Sequence, residues 1–390
     1  MNFHKFMDRE KIVIVSAVPE TILAFMSKHL QAFVEEYLTY AVCSNASNIS
    51  KERLIPNVTY VDISIERKIM PLKDIISLCK LIHFFRLNKF TLVQSITPKA
   101  GLLTMLAAWL CRVPIRIHVF TGQVWVTRQG FSRWYLKCFD RLIALLATNL
   151  LADSPSQKEF LVSEGISTSN QINVLADGSI CGVDALKFKP NYVAKLRIRS
   201  ELCLPKDGIL ALFLGRLKQD KGVLDLAMAL RVLGPSVTNL YVVFVGPNEE
   251  GLVEKIYQLV GSQSSQIRII GPVSNPEDYL AAADFLCLPS HREGFGLVSI
   301  EAAAVGIPTL ASRIYGITDA IVDGVTGILH EPGDPVDISK GLREMMDLKN
   351  CQAMGDAAKK RALELFPSSR IVKAQLNYYQ SLIKKYRGHA

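Results

Sequence analysis

FLCLPSHREGFGLVSIEAAAV, residues Phe285 to Val305, decides how this chain folds. Phe285 to Ser290 is a short apolar run of buried-strand type, and Leu297 to Val305 is Ala-rich and helix-forming. Between them, Gly294-Phe295-Gly296 marks a strand-to-helix turn where glycine lets the backbone approach a ligand and the new helix offers N–H groups that favour phosphate. Glu293 stands on the loop and Glu301 about two turns into the helix, so both carboxylates can face one ligand from two sides. Spacing alone fits an ordinary loop with two solvated acids equally well.

A second constellation lies about 75 residues upstream. Ala211 to Leu214 is another buried-strand run, followed by Gly215-Arg216-Leu217, Lys218-Gln219-Asp220-Lys221-Gly222 and a helical stretch from Val223. That order puts cations at the C-terminal end of a strand, the edge where open α/β sheets bind ligands. Arg216 supplies a planar fork for phosphate oxygens and Lys221 a compact point charge. Either cation alone reads as a solvated surface group. With the glutamate segment they describe a nucleotide-diphosphate site made from two neighbouring loops.

From Gly215 to Asp334, through GRLKQDKG and GPVSNPEDYLAAADFLCLPSHREGFGLVSIEAAAVGIPTLASRIYGITDAIVDGVTGILHEPGD, the chain resembles the C-terminal half of retaining GT-B glycosyltransferases of the fourth sequence-based family. The N-terminal half adds looser matches at Gln94 to Gly101, His118 to Gly122, and Gly178-Ser179 with Gly182-Val183-Asp184. These resemble the branch that builds bacterial capsule and O-antigen units on a lipid carrier. The resemblance implies an α/β protein of two Rossmann-like domains facing across a cleft, the GT-B fold. It implies a nucleotide-sugar donor, UDP-sugar favoured, and transfer of a hexose or N-acetylhexosamine to a lipid-pyrophosphate-linked saccharide with retention. Arg216 and Lys221 would bind the donor diphosphate, Glu301 the ribose hydroxyls, and Glu293 would lie beside the transferring sugar. The backbone of Gly294, Phe295, Gly296 and Leu297 would hold sugar hydroxyls and phosphate. Val273 would border the nucleobase, Gly178 and Ser179 would sit at the cleft, and His118 would reach the sugar near the reacting carbon. His291 and His330 carry no such role. One departure from the family is Ala17-Val18-Pro19-Glu20, where many relatives have a glycine pair.

The length of 390 residues suggests two domains. Alternating runs support a parallel sheet in each half. Strands are expected at Ile12–Ser16, Ala41–Ser44, Val58–Asp62, Thr91–Ser95, Ile115–Phe120, Asn149–Asp153 and Gln171–Leu175. Helices are expected at Thr21–Leu30, Pro71–Asn88, Ala100–Cys111, Leu136–Ala147 and Ser156–Glu164, the last capped by Ser154 and ended by Gly165. Phe188 to Asn191 reads as a linker, giving an acceptor-binding domain over 1–188 and a donor-binding domain over 192–366. A second alternating series runs from Ile209, and the break at Pro367-Ser368-Ser369 precedes a last helix, Ile371 to Tyr386. By resemblance that segment, 367–390, crosses back to the first domain.

Eight cysteines without a Cys-x-x-Cys pair argue for a reducing cytoplasm and against a zinc knot. The polar start MNFHKFMDREK has no signal-peptide pattern. The turn VSAVPETILAF lacks Gly-x-Gly-x-x-Gly, so nicotinamide chemistry is not expected, and no cofactor is. No Asp-x-Asp occurs, so no metal site is expected and the cations would meet the diphosphate charge. Residues 1–190 carry 22 basic and 15 acidic groups, the remainder 23 and 21, which points the first half toward an anionic partner. Nucleic acid is not favoured, because no aromatic-interleaved basic motif is present. Ala100–Leu110 and Leu142–Leu151 are strongly apolar but too short to span a bilayer, and read as buried helices. Trp125, Arg128, Arg133, Trp134, Lys137 and Arg141 beside the second run suit a headgroup interface, hence a peripheral position at the inner face of the cytoplasmic membrane. Two other readings stay open: a nucleotide-sugar 2-epimerase, and a non-catalytic sugar-nucleotide-binding protein.

Overall fold

The computed structural model describes residues 9–388; most of the polar N-terminal stretch, and the last two residues, lie outside the described residues. The chain divides into two units, residues 1–181 with 368–390, and residues 182–367.

The first unit is built on a seven-stranded, all-parallel sheet: β1 (Lys11–Val15), β2 (Leu38–Cys43), β3 (Val58–Asp62), β4 (Leu92–Ile96), β5 (Ile115–Phe120), β6 (Asn149–Ala152) and β7 (Ile172–Val174). Its spatial order is β3-β2-β1-β4-β5-β6-β7. Helices α1 (Ser27–Glu36), α2 (Pro71–Asn88), α3 (Pro98–Leu110), α4 (Gly130–Leu146) and α5 (Pro155–Ser163) connect the strands. Buried Ile, Val and Leu line both faces of the sheet, as a doubly covered parallel sheet requires. Ser154 caps α5 by accepting from Gln157 N, and Gly165 follows with φ of 64°. The expected helix near Thr21 is less regular, since a π-turn over Ile22–Met26 precedes α1. Leu142–Leu151 is not one buried helix: α4 ends at Leu146, β6 begins at Asn149, and Leu142 and Leu145 are exposed.

The last helix of the chain, α14 (Ser368–Arg387), packs on α1 in this unit. The Tyr379 ring stacks on Phe33 at 4.8 Å, and its hydroxyl donates to Gln94 Oε1 at 2.7 Å.

The second unit carries a six-stranded parallel sheet, β8 (Ile209–Leu214), β9 (Leu240–Val245), β10 (Ile267–Ile270), β11 (Phe285–Leu288), β12 (Thr309–Ser312) and β13 (Gly327–His330), in the order β10-β9-β8-β11-β12-β13. Around it lie α6 (Tyr192–Glu201), α7 (Val223–Leu233), α8 (Val253–Val260), α9 (Pro276–Ala282), α10 (Leu297–Val305), α11 (Ile317–Ala320), α12 (Pro335–Met345) and α13 (Leu348–Leu365). Phe188 is buried in this unit's core and Asn191 caps α6 by accepting from Ala194 N.

Both sheets are doubly wound: the order reverses between β1 and β4, and again between β8 and β11. Loops leaving the two strands of a reversal point diverge to opposite faces and open a crevice at their carboxyl ends. The fold is therefore the expected one, α/β with two Rossmann-like domains. No helix among the described residues is long and apolar enough to cross a membrane.

Candidate active site

The loops leaving β8 and β11 flank the reversal point of the second sheet, and they carry Lys221 and Glu293. Lys221 Nζ lies 2.5 Å from Glu293 Oε1, with the side chains 18% and 16% exposed. Ser290, fully buried at the end of β11, donates its hydroxyl to the same oxygen at 2.8 Å. Residues 72 apart in sequence thus meet because parallel strands β8 and β11 are neighbours.

Backbone geometry forces that approach. Gly222 has φ of 69°, and a Cβ there would stand 1.9 Å from the Pro289 carbonyl oxygen. Only glycine lets the β8 loop pack so closely on the β11 loop. Two further ties hold the loops: Arg292 Nη2 reaches Asp220 Oδ2 at 2.8 Å, and His291 Nε2 lies 2.6 Å from Asp225 Oδ2. Burial alone would raise the Asp220 carboxyl, but the charges of Arg292, Lys218 and Lys221 outweigh it and hold the group below its usual range. The Asp225 hydrogen bond raises His291 against the opposing effect of burial. His291 thereby ties the β11 loop to Asp225 at the start of α7.

Arg216 does not join the Lys221–Glu293 pair; its Nη1 sits 3.3 Å from Glu249 Oε2 on the loop after β9. Gly296, with φ of 70°, starts α10. The Phe295 side chain turns inward and meets Phe366 edge-on at 5.1 Å, so this residue can offer a ligand only its backbone. Glu301, on α10, makes no hydrogen bond or ion pair with the described residues. Burial pushes its carboxyl up to about 8, with Lys187 lowering and Glu277 raising it. Val273, on the loop after β10, is partly buried against the core.

The remaining candidates lie in the first unit. His118 sits within β5, fully enclosed: Ser95 Oγ is 2.8 Å from its Nδ1, and the Phe120 ring stands edge-on at 4.6 Å. A Cβ on Gly101 would come 2.4 Å from the imidazole, so α3 makes room for the ring only with glycine there. Burial pushes His118 down to about 3, leaving it neutral at ordinary pH. Ser179 has φ of 71° and its N–H donates to the Asp153 carbonyl oxygen at 2.6 Å; Gly178 before it has φ of 105°. Asp153, at the end of β6, was not singled out from the sequence. Its Oδ1 is buried with no partner among the described residues, and burial pushes the carboxyl up to about 8. Nothing in its local pattern separates it from an ordinary strand-end aspartate. Ser290 likewise escaped notice, because a serine gains meaning here only from the carboxylate it touches.

The exposed interface expected over Trp125–Arg141 is corrected at Trp125, Arg133 and Lys137, whereas Arg128, Trp134 and Arg141 are exposed as expected. Trp125 is 1% exposed, stacks on Phe160 and donates its indole N–H to Asp140 Oδ2 at 2.7 Å. Arg133 and Lys137 lie over its ring and pair with Glu164 at 3.0 and 2.6 Å. The aromatic and its cations are spent holding α4 against α5.

Residues 195–361 match the family described as glycosyl transferases group 1. The capsular polysaccharide biosynthesis glycosyltransferase CapM of Staphylococcus aureus is 30% identical over 328 residues, covering 84% of this chain and 86% of its own length. The chain belongs to the group 1 glycosyltransferases. Solved structures agree on the architecture of this glycosyltransferase. HepE of Anabaena, in complex with UDP and glucose, superposes with a TM-score of 0.79 at 17% identity, over 95% of this chain and 99% of its own. The sucrose-phosphate synthase of Thermosynechococcus elongatus gives 0.80 at 20% identity, over 97% and 100%. At such identities the likeness speaks for the two-domain GT-B fold.

Proposed function

We propose that this glycosyltransferase moves a hexose or N-acetylhexosamine from a UDP-sugar to a lipid-pyrophosphate-linked saccharide, with retention and without a metal ion, in the assembly of a bacterial surface polysaccharide. The observation that carries the reading is the convergence of Lys221, Glu293 and Ser290 at the β8/β11 reversal point, with Glu301 close by in sequence and unpartnered. The capsule-building relative supports a place in surface polysaccharide assembly, and the neighbour holding UDP and glucose supports a UDP-sugar donor.

In this reading residues 182–367 bind the donor. Lys221 and Arg216 take the diphosphate, exchanging their carboxylate partners for phosphate oxygens. Glu301 accepts from the ribose hydroxyls, Val273 borders the base, and the backbone of Gly294 to Leu297 meets sugar and phosphate. Glu293, released by Lys221, faces the transferring sugar. The first unit binds the acceptor, with His118, Gly178 and Ser179 completing the sugar's surroundings. The bond from the anomeric carbon to the diphosphate breaks with its electron pair going to the phosphate oxygen. The acceptor oxygen bonds the same face, and its proton passes to the departing phosphate. Fixed positive charge on the leaving group is the largest catalytic contribution. The reaction would occur at the inner face of the cytoplasmic membrane.

The test is a thermal-shift screen of nucleotide-sugars followed by transfer assays with lipid-linked and soluble acceptors, with and without EDTA. A UDP-sugar should raise the melting temperature in proportion to its occupancy. Stabilisation by no nucleotide-sugar, or activity abolished by EDTA and restored by manganese, would sink the donor or the metal-free part respectively.

A further inference from the structure

Helix α2 is apolar on both sides. Its inner side buries Ser77, Leu81 and Phe85. On the outer side Leu72 is 79% exposed, Ile75 59%, Ile76 55% and Leu87 68%. At 100° per residue, Leu72, Ile75, Ile76, Cys79, His83, Arg86 and Leu87 fall within one sector opposite the buried residues. An ordinary surface helix shows water a polar stripe there, so an apolar outer stripe signals a second environment.

The charge around the stripe identifies that environment. Between residues 66 and 89 the acids are Glu66 and Asp74, and each is matched by a lysine: Glu66 with Lys73 at 2.8 Å, Asp74 with Lys99 at 2.7 Å. Arg67, Lys68, Lys80, Arg86 and Lys89 have no acidic partner among the described residues. Ile69 and Met70 extend the exposed apolar surface ahead of the helix. Cys111 Sγ donates to the Ile82 carbonyl at 3.5 Å, which ties the end of α3 to α2 and brings exposed Trp109 and Leu110 alongside. Exposed aliphatic and indole side chains ringed by unneutralised cations match an anionic lipid surface, where chains enter the acyl boundary and cations meet phosphate. A protein partner of the same shape would need matching acids, and neutral lipid would leave the cations unused.

We infer that the outer face of α2, with Ile69–Met70 and Trp109–Leu110, is the surface by which this enzyme docks on anionic membranes. The inference rests on the lipid-linked acceptor proposed above, and moves the docking surface from the Trp125–Arg141 segment, where Arg133 and Lys137 pair with Glu164, to α2. Docking would bring the first unit to its substrate without a spanning helix.

The experiment is flotation with vesicles of phosphatidylcholine alone or mixed three to one with phosphatidylglycerol, at low and high salt. Wild-type protein should float with the anionic vesicles at low salt only, and Ile75→Glu/Ile76→Glu should lower the bound fraction about tenfold or more. Phe131→Ser/Trp134→Ser, on α4, should float like wild type. UDP binding by calorimetry on the same preparations reports the donor loops of the second unit and should not change. Should Ile75→Glu/Ile76→Glu fail to fold, Lys80→Glu/Arg86→Glu makes the same test through charge. Wild-type protein that stays unbound, α2 variants that float normally, or a dimer in light scattering that Ile75→Glu/Ile76→Glu dissolves would each overturn the assignment. Flotation that persists without transfer to any lipid-linked acceptor would remove the proposed substrate and leave the surface standing.

Discussion

Lys221 and Glu293 in the second unit meet as opposite charges 2.5 Å apart on open loops, whereas Ser95 and His118 in the first meet 2.8 Å apart as enclosed, uncharged groups. Around the first pair the loops are laced by ions, Arg216 to Glu249 and Arg292 to Asp220. Around the second, burial drives protonation states toward neutrality, with His118 down to about 3 and Asp153 up to about 8. In the proposed function one sheet end receives a polyanion, its cations exchanging the carboxylates beside them for phosphate. The other holds polar groups without charge, which suits hydroxyl-bearing partners and makes any unpaired charge costly there.

The largest expected effect falls on the charged side. If the proposed donor site holds, Lys221→Ala should lower turnover by about two to three orders of magnitude, and Arg216→Ala by a similar factor, since each would remove positive charge from beside the departing diphosphate. Steady-state kinetics on both variants decide this; a loss confined to KM would mean the cations only anchor the donor.

Glu301 sharpens the contrast, as the one carboxyl on the charged side that burial has neutralised. Above about pH 8, where the carboxylate is ionised, Glu301→Gln should cost about 1.5–3 kcal/mol of donor affinity, read by calorimetry, and less at neutral pH. The wild-type carboxyl, raised from 4.5 to about 8, is protonated through the neutral range. Its contribution to stability is full below the unfolded value and lost as pH rises through about 8. Two ribose hydroxyls prefer the ionised form, so donor affinity should climb with pH toward about 8 in the wild type and stay flat in the Gln variant. A flat wild-type profile would show that ribose does not bond there.

The smallest effect is expected of His118. Because burial lowers it from 6.5 to about 3, and His29 to about 4, only the unfolded chain takes up these protons on mild acidification. These two histidines lower stability as pH falls below 6.5, against the opposite slope of the raised Asp153 and Glu301 carboxyls, so the stability of His118→Gln relative to wild type should rise from pH 7 to pH 5 in urea titrations. The pH profile of activity between 5 and 8 should keep its shape in this variant. A limb near 6.5 that disappears with His118 would make the first unit a site of proton transfer after all.

The fold was legible because the apolar runs of β8, β9 and β11 are short, continuous and punctuated by glycine, a pattern that a doubly covered parallel sheet leaves in sequence. Glu293 and Lys221 were legible as motif residues, yet their contact was not, since it depends on strand order and on Gly222 admitting the Pro289 carbonyl. Trp125 misled for a related reason. Aromatic and basic residues spaced along α4 and its approach look alike whether they face headgroups or clamp a neighbouring helix, and only Glu164 and Asp140 distinguish the two. The outer face of α2 was hidden because helical periodicity reveals one apolar side readily and two apolar sides hardly at all.

The placement of α14 has a consequence for synthesis on the ribosome. The second unit is one continuous stretch, but the first cannot close its core until residues from Ser368 onward emerge, because Tyr379 fills the space against Phe33 and donates to the buried Gln94 Oε1. The half made first is thus finished last, and its open flank between α1 and β4 must wait while the later half folds beside it. A chain stopped at Pro367 should therefore be cut by protease throughout its first unit while residues 182–367 survive; equal resistance of both would show that the terminal helix only decorates a core already complete.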